Sequence, residues 1–399
     1  MPQISEKGKI MPASPIRRLV PLADKAKERG VRVYHLNIGQ PDIPTPKVAL
    51  DAMKGWNGKV VEYTNSAGNL SYRKKLAAYY RGVGADVDES NILITTGGSE
   101  AITFAFMATL NPGDEIITPE PFYANYISFA TICGVTIKTV PSYIENDFAL
   151  PPVSEFEKMI TPRTKGVVIV NPGNPTGYLY SREELEQVAD IVKRHDLFLY
   201  TDEVYREFCY DGLTHFSAAR LEGLDEHVIM VDSVSKRYSE CGARVGALVS
   251  RNKEVLGAVT RFCMARLSPP ALGQIIAEAS LDAPASYFEE VHREYVERRD
   301  FMVDALNRIP GVSCPRPRGA FYAVVKLPVG DADDFARWLL EEFEDGGETV
   351  MVAPASGFYS TPGRGKDEVR VAYVLKIPEL KRAMEILAKA LATYPGRTI

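Results

Sequence analysis

Cysteine is scarce in this 399-residue chain. The five, Cys133, Cys209, Cys241, Cys263 and Cys314, are odd in number, widely spaced and without a CxxC pair. That pattern argues against a disulfide framework or a zinc cluster and suits a reducing, cytoplasmic setting. An excess of one charge is also missing. With 47 basic and 52 acidic residues the formal net charge is −5, too mild to call for nucleic acid or an anionic membrane. No window reaches the roughly 18 apolar residues of a membrane span, and the opening MPQISEKGKIMPASPIRRLV has no uninterrupted apolar stretch of the signal-peptide kind. The 30 glycines and 27 prolines are dispersed, so no linker or low-complexity segment stands out, and no internal repeat is visible.

What is present is ordinary globular material. The chain is 45% hydrophobic and 25% charged, which supports a buried core without staples. At about 150 residues per domain the length allows two or three domains. Short β-branched runs alternate with helical patterns through the middle: NILITT (91–96), EIITP (115–119), VTIKTV (135–140), GVVIV (166–170), LFLYT (197–201), VIMVD (228–232) and VGALVS (245–250). Alternation of this kind predicts an α/β fold. Runs that are apolar throughout predict a mostly parallel central sheet flanked by helices. The helix of 181–196 opens on Ser181 with Glu184 three residues on, a capping box. After about residue 284 the pattern changes to a long charged helix, 285–307, then short strands and a closing helix, which reads as a smaller α+β domain. The first forty residues have no pattern of their own. The expected division is a large unit over 46–284 and a smaller one from 1–45 plus 285–399.

In an open α/β sheet, ligands bind beyond the carboxyl ends of the strands. NILITT runs into Gly97-Gly98-Ser99-Glu100 and a helix, either a phosphate-binding helix N-terminus or a plain tight turn. GVVIV runs into Asn171-Pro172-Gly173-Asn174-Pro175-Thr176-Gly177, a rigid loop able to aim an amide. LFLYT runs into Asp202, which taken singly reads as a helix N-cap, with Tyr205 beyond. VIMVD runs into Ser233-Val234-Ser235-Lys236. A lysine at the same sheet edge as a phosphate turn, an amide and a carboxylate is a candidate functional group.

The set NPGNPTG, TDEVY and SVSKRYSECGARVG, with IGQPD near the start and EVRVAYVL near the end, resembles the pyridoxal-phosphate-dependent aminotransferases of class I and II. This is the fold type I group, and the likeness to its bacterial aspartate aminotransferase-like branch covers essentially the whole chain. The resemblance implies that Lys236 carries the cofactor covalently and then shuttles protons. It implies that Asp202 pairs with the pyridine nitrogen, that Asn174 and Tyr205 bond the ring's phenolic oxygen, and that Tyr123 stacks on the ring. The phosphate falls to the N–H groups of Gly98, Ser99 and Glu100, with Ser233, Ser235 and Arg244. Tyr63 matches a residue that reaches the neighbouring subunit's phosphate, which implies a homodimer with shared sites. Arg370 becomes the clamp for the substrate α-carboxylate, helped by Asn174 and the Gly39 backbone. An arginine in a run such as VRVAYV is awkward as structure alone, because burying its charge without a partner is costly.

The departures concern specificity. Dicarboxylate-specific relatives use a lysine where Ser99 stands, or an arginine donated across the dimer; Arg266 of the partner chain is the expected substitute, although it falls three residues from the matching position. Ala243 stands where a tryptophan is common, and the turn near Phe358 reads PASGFYS. The activity implied is transfer of an amino group from an L-amino acid, aspartate or a related small one, to a 2-oxo acid such as 2-oxoglutarate by a ping-pong cycle. Alternatives on the same fold are a C–S β-lyase, an aspartate β-decarboxylase and a catalytically silent regulator. The complete set of Lys236, Asp202, Asn174, Arg244 and Arg370 argues against the last.

Overall fold

The computed structural model describes residues 2–399. Its twelve strands are β1 (Arg32–His35), β2 (Ile92–Thr95), β3 (Glu115–Glu120), β4 (Thr136–Pro141), β5 (Thr164–Val170), β6 (Phe198–Asp202), β7 (Val228–Ser233), β8 (Gly246–Ser250), β9 (Tyr322–Lys326), β10 (Glu348–Met351), β11 (Ala353–Pro354) and β12 (Glu368–Ala372). All seven strand runs read from the middle of the sequence fall in one seven-stranded sheet, ordered β2-β8-β7-β6-β5-β3-β4. Strands β2, β3, β7 and β8 are buried at every position, β2 and β8 with mainly apolar residues and β3 and β7 with Glu115, Glu120 and Asp232 enclosed among them. Pairing among β3 to β7 is parallel, whereas β8 runs antiparallel to both β7 and β2. The carboxyl ends of the other six therefore share one edge, and the amino end of β8, just after Arg244, meets them there.

Helices cover both faces of this sheet. Arg182–His195 starts on the expected capping box: Ser181 Oγ accepts from Glu184 N at 3.1 Å, and Glu184 accepts from Ser181 N at 2.8 Å. Such a cap contributes about 1 kcal/mol. Leu185, Val188, Ile191 and Val192 recur at helical spacing and pack with Ile117, Val167, Ile169 and Leu199 of the sheet. On the other face Gly98–Thr109 buries Ala101, Ile102, Ala105 and Phe106 against Ile229, Val231 and Leu248.

A three-stranded antiparallel sheet, β11-β12-β9, and the parallel pair β1-β10 make up the remaining strands. Pairing of β1 with β10 ties residues 32–35 to 348–351, which the patternless start of the sequence does not reveal. The 23-residue helix Ala285–Asn307 packs against Ile377–Thr393. Its Arg298 and Arg299 are 1% exposed yet ion-paired, Arg298 to Asp42 at 2.6 Å and Arg299 to Asp211 at 2.8 Å. Both partners lie on loops. Tyr205, Phe208 and Tyr210, just past β6, pack into the same apolar cluster as Tyr295, Met302 and Phe321, so the end of β6 is held by this second body of structure. Among the described residues no helix is long and apolar enough to cross a membrane.

Candidate active site

The sheet edge opens into a cavity of about 710 Å³. At the end of β2, Gly97 takes φ 76°, a left-handed conformation that favours glycine, and the helix Gly98–Thr109 begins there. A Cβ on Gly97 would come within 2.6 Å of Arg244 Nη2, and one on Gly246 within 2.7 Å of Gly98 N. The turn thus brings Arg244 beside a helix N-terminus with free N–H groups, an anion site by geometry and dipole. Arg244 Nη1 donates to Cys241 O at 3.0 Å and Nη2 to Thr96 O at 3.4 Å.

Beyond β7, Ser233 caps the short helix Val234–Arg237, its Oγ accepting from Ser235 N at 3.1 Å. Lys236 projects from that turn, and its Nζ donates to Gly39 O at 2.8 Å. Beneath it, buried Asp232 accepts from Arg237 Nη2 at 2.6 Å, Tyr80 OH at 2.8 Å and Arg206 Nη1 at 3.4 Å. Burial opposes ionisation of Asp232, but the two arginines prevail and hold its carboxyl below the ordinary range. This network fixes the strand end that carries Lys236.

At the end of β6, Asp202 accepts from Tyr126 OH at 2.8 Å and Val204 N at 3.3 Å. Burial raises its carboxyl to about 6, against the pull of those two donors. Tyr123, raised to about 12 by burial, sits edge-on to Tyr126 with ring centroids 5.8 Å apart. Tyr205 OH lies 2.9 Å from Tyr322 OH.

Arg370 on β12 closes the far wall. It is 1% exposed, with Nη1 donating to Asn174 Oδ1 at 3.1 Å and Nη2 to Asn37 O. Its guanidinium lies 4.5 Å from the Tyr322 ring centroid and 5.0 Å from that of Phe358. It has no carboxylate partner among the described residues, its Nε has no partner at all, and burial lowers its pKa. A buried guanidinium without a counter-ion is a demand for an anion.

Of the residues expected from sequence, Gly39, Gly98, Ser99, Tyr123, Asn174, Asp202, Tyr205, Ser233, Ser235, Lys236, Arg244 and Arg370 line this one cavity. Three do not. Tyr63 is 79% exposed and outside its own chain's cavity. Glu100, expected to act through its backbone N–H in the first turn of the helix, turns its carboxylate aside, where it accepts from Thr96 N at 2.8 Å and pairs with Arg266 Nη1 at 2.6 Å. Arg266, expected from sequence to reach the substrate from the partner chain, is engaged within its own chain by Glu100, Ser66 O and Ile94 O. The cavity also contains residues that sequence reasoning passed over, among them Tyr126, Tyr322, Cys241 and Arg17. Tyr126 had a signal, standing three residues after Tyr123 where a helical turn aligns the two; Arg17, in an unpatterned segment, had none.

A buried carboxylate, a lysine amine and an anion-binding turn at one sheet edge fit a phosphorylated pyridine aldehyde. Residues 31–387 match the family model of aminotransferase class I and II. The aspartate aminotransferase of Geobacillus stearothermophilus is 31% identical, over 91% of this chain and 93% of its own. An aromatic-amino-acid aminotransferase of Thermococcus litoralis is 31% identical, over 97% and 98%. Among solved structures, an alanine aminotransferase from Pyrococcus furiosus superimposes with a TM-score of 0.88 at 30% identity, covering 97% of this chain and 99% of that one. With the site's chemistry and this similarity in agreement along nearly its whole length, the chain belongs to the class I and II aminotransferases, which move amino groups by means of pyridoxal phosphate.

Proposed function

We propose that the enzyme transfers the amino group of a small acidic L-amino acid, aspartate foremost, to a 2-oxo acid such as 2-oxoglutarate in a ping-pong cycle. The observation that carries this reading is Arg370: a buried arginine with no carboxylate of its own, sharing one cavity with Lys236 and Asp202. The residues fit the cofactor as follows. Gly98, Ser99, Glu100, Ser233, Ser235 and Arg244 would hold its phosphate, Asp202 would face its ring nitrogen, Tyr123 its ring, and Asn174 with Tyr205 its phenolic oxygen. When bound, the cofactor supplies the electron sink that makes the substrate Cα acidic. Asp202 keeps the ring nitrogen protonated, since an ionised carboxylate beside a cation favours both charges. Lys236 Nζ, held towards Gly39 O, takes and returns the Cα proton. Arg370 receives the α-carboxylate as a bidentate fork, and Asn174 Oδ1 sets the angle of that fork.

The site reads as half of a homodimer in a cytoplasmic setting. Tyr63 is exposed near the likewise exposed Val60, Val61 and Trp56, an arrangement suited to reaching a second copy's phosphate. The test is to offer amino acids one at a time, without acceptor, to the purified enzyme and follow conversion of the aldehyde cofactor to its amine form by absorbance. Aspartate is expected to convert it fastest. Release of ammonia and pyruvate without any oxo acid would overturn the transfer reading in favour of elimination.

A further inference from the structure

The charges of the cavity do not cancel. Among the described residues four cations line it, Arg17, Lys236, Arg244 and Arg370, against a single carboxylate, Asp202. On the reading above, Arg244 answers the cofactor phosphate, Lys236 the cofactor itself, Arg370 the substrate α-carboxylate, and Asp202 the ring nitrogen. Arg17 is left over. Its side chain has no hydrogen bond or ion pair among the described residues, although it lies close enough to Tyr123 to favour that group's ionised form. Its neighbour Arg18, by contrast, is paired with Asp333.

The segment that carries Arg17 is fixed in place. Ile16 O accepts from Asn37 Nδ2 at 3.1 Å, a Cβ on Gly357 would strike Pro15, and Arg18 reaches Ser356 Oγ at 3.5 Å. Asn37 is fully buried, and its own carbonyl receives Arg370 Nη2. One residue therefore sets both the cation assigned to the α-carboxylate and the segment bearing the unassigned one.

We infer that Arg17 binds the distal carboxylate of a dicarboxylic substrate, the role the sequence suggested for Arg266, whose guanidinium is engaged within its own chain. Ser99 offers no charge there, and the only carboxylate of the cavity among the described residues faces Tyr126. Arg17 is exposed in this structure, as an entrance cation that a substrate must pass would be, and a bound dicarboxylate bridges it to Arg370. This inference rests on the acidic-substrate reading and adds the residue responsible.

The test uses holoenzyme and two ratios: kcat/KM for aspartate over alanine, and affinity for succinate over propionate, the latter read from the cofactor absorbance. Arg17→Met, which keeps bulk and removes charge, is expected to lower both ratios about ten- to hundred-fold, the value of a charge-assisted pair. Arg17→Lys should recover part of the loss. If wild-type enzyme shows no preference for the dicarboxylates, the acidic-substrate reading and this inference both fall. If wild type shows the preference and Arg17→Met retains it, the inference alone falls. Equal losses for dicarboxylates and monocarboxylates would also overturn it, since they would mark Arg17 as a structural support of the cavity mouth.

Discussion

Arg266 Nη1 donates to Glu100 Oε2 at 2.6 Å within one chain, across the base of the turn that precedes the helix Gly98–Thr109. The two side chains are 14% and 17% exposed, and the same carboxylate oxygen accepts from Thr96 N. Arg266 also donates to Ser66 O and Ile94 O, so it ties three chain segments together under the anion-binding turn. Removing one member of a largely buried pair leaves the other uncompensated. Arg266→Ala is therefore expected to cost about 2–4 kcal/mol of stability while the aspartate-to-alanine ratio stays at its wild-type value. Chemical denaturation and the two half-reactions check this; a changed ratio with unchanged stability would return Arg266 to the substrate.

The buried carboxyl of Asp202 predicts a pH dependence. Its folded value is raised to about 6, whereas the unfolded chain releases this proton near pH 4. Between about 4 and 6 the native apoprotein holds the extra proton, so this group's contribution to stability declines as pH rises through that window. A cationic ring nitrogen reverses the preference by stabilising the carboxylate. Cofactor affinity of the apoprotein should then weaken below about pH 6, by up to about tenfold per pH unit, and Asp202→Asn should remove that limb along with most activity. Absorbance titration with pyridoxal phosphate across this range measures it; equal slopes in wild type and variant would detach Asp202 from the ring.

Arg370→Lys separates charge from shape. Lysine keeps a cation but loses the planar fork that now spans Asn174 Oδ1 and Asn37 O and stacks over Tyr322. KM should rise about ten- to hundred-fold for every amino acid, monocarboxylic or dicarboxylic alike, because the α-carboxylate is common to all of them. Steady-state kinetics with aspartate and alanine decide it. A loss confined to aspartate would move Arg370 to the distal subsite.

The sheet was legible because strands buried on both faces draw mainly on apolar residues, as the runs NILITT, GVVIV, VIMVD and VGALVS do. Arg370 was legible for the opposite reason, a charge where the pattern demands none. The direction of β8 was not, since apolar runs carry no sense of direction, and that reversal is what delivers Arg244 to the site. The intrachain anchoring of Arg266 was not legible, because distance along the chain from a motif does not say which way a side chain leaves its helix. Arg17 and Tyr322 come to line one cavity only when the N-terminal segment lies against the sheet edge, an arrangement with no local signature.

Gly39 provides the last prediction. Its carbonyl accepts from Lys236 Nζ at 2.8 Å, and its Cα abuts Tyr322 so closely that a Cβ would fall on the tyrosine hydroxyl. Tyr322 is 2% exposed and supports Arg370, so it has little room to retreat. In Gly39→Ala, then, either Tyr322 shifts and tilts the Arg370 guanidinium, or the 37–41 segment shifts and takes Gly39 O from Lys236 and Asn37 O from Arg370. Overpacking of this kind costs about 1–3 kcal/mol, which the fold survives, but both displacements strike the site. Gly39→Ala should lower kcat/KM about a hundred-fold, the scale of a misplacement of about 1 Å. If the collision with Tyr322 is the cause, Gly39→Ala/Tyr322→Ala will be little worse than Tyr322→Ala alone, because the second change removes what the first one strikes. Independent, multiplying losses would show that Gly39 acts through its backbone and not through Tyr322.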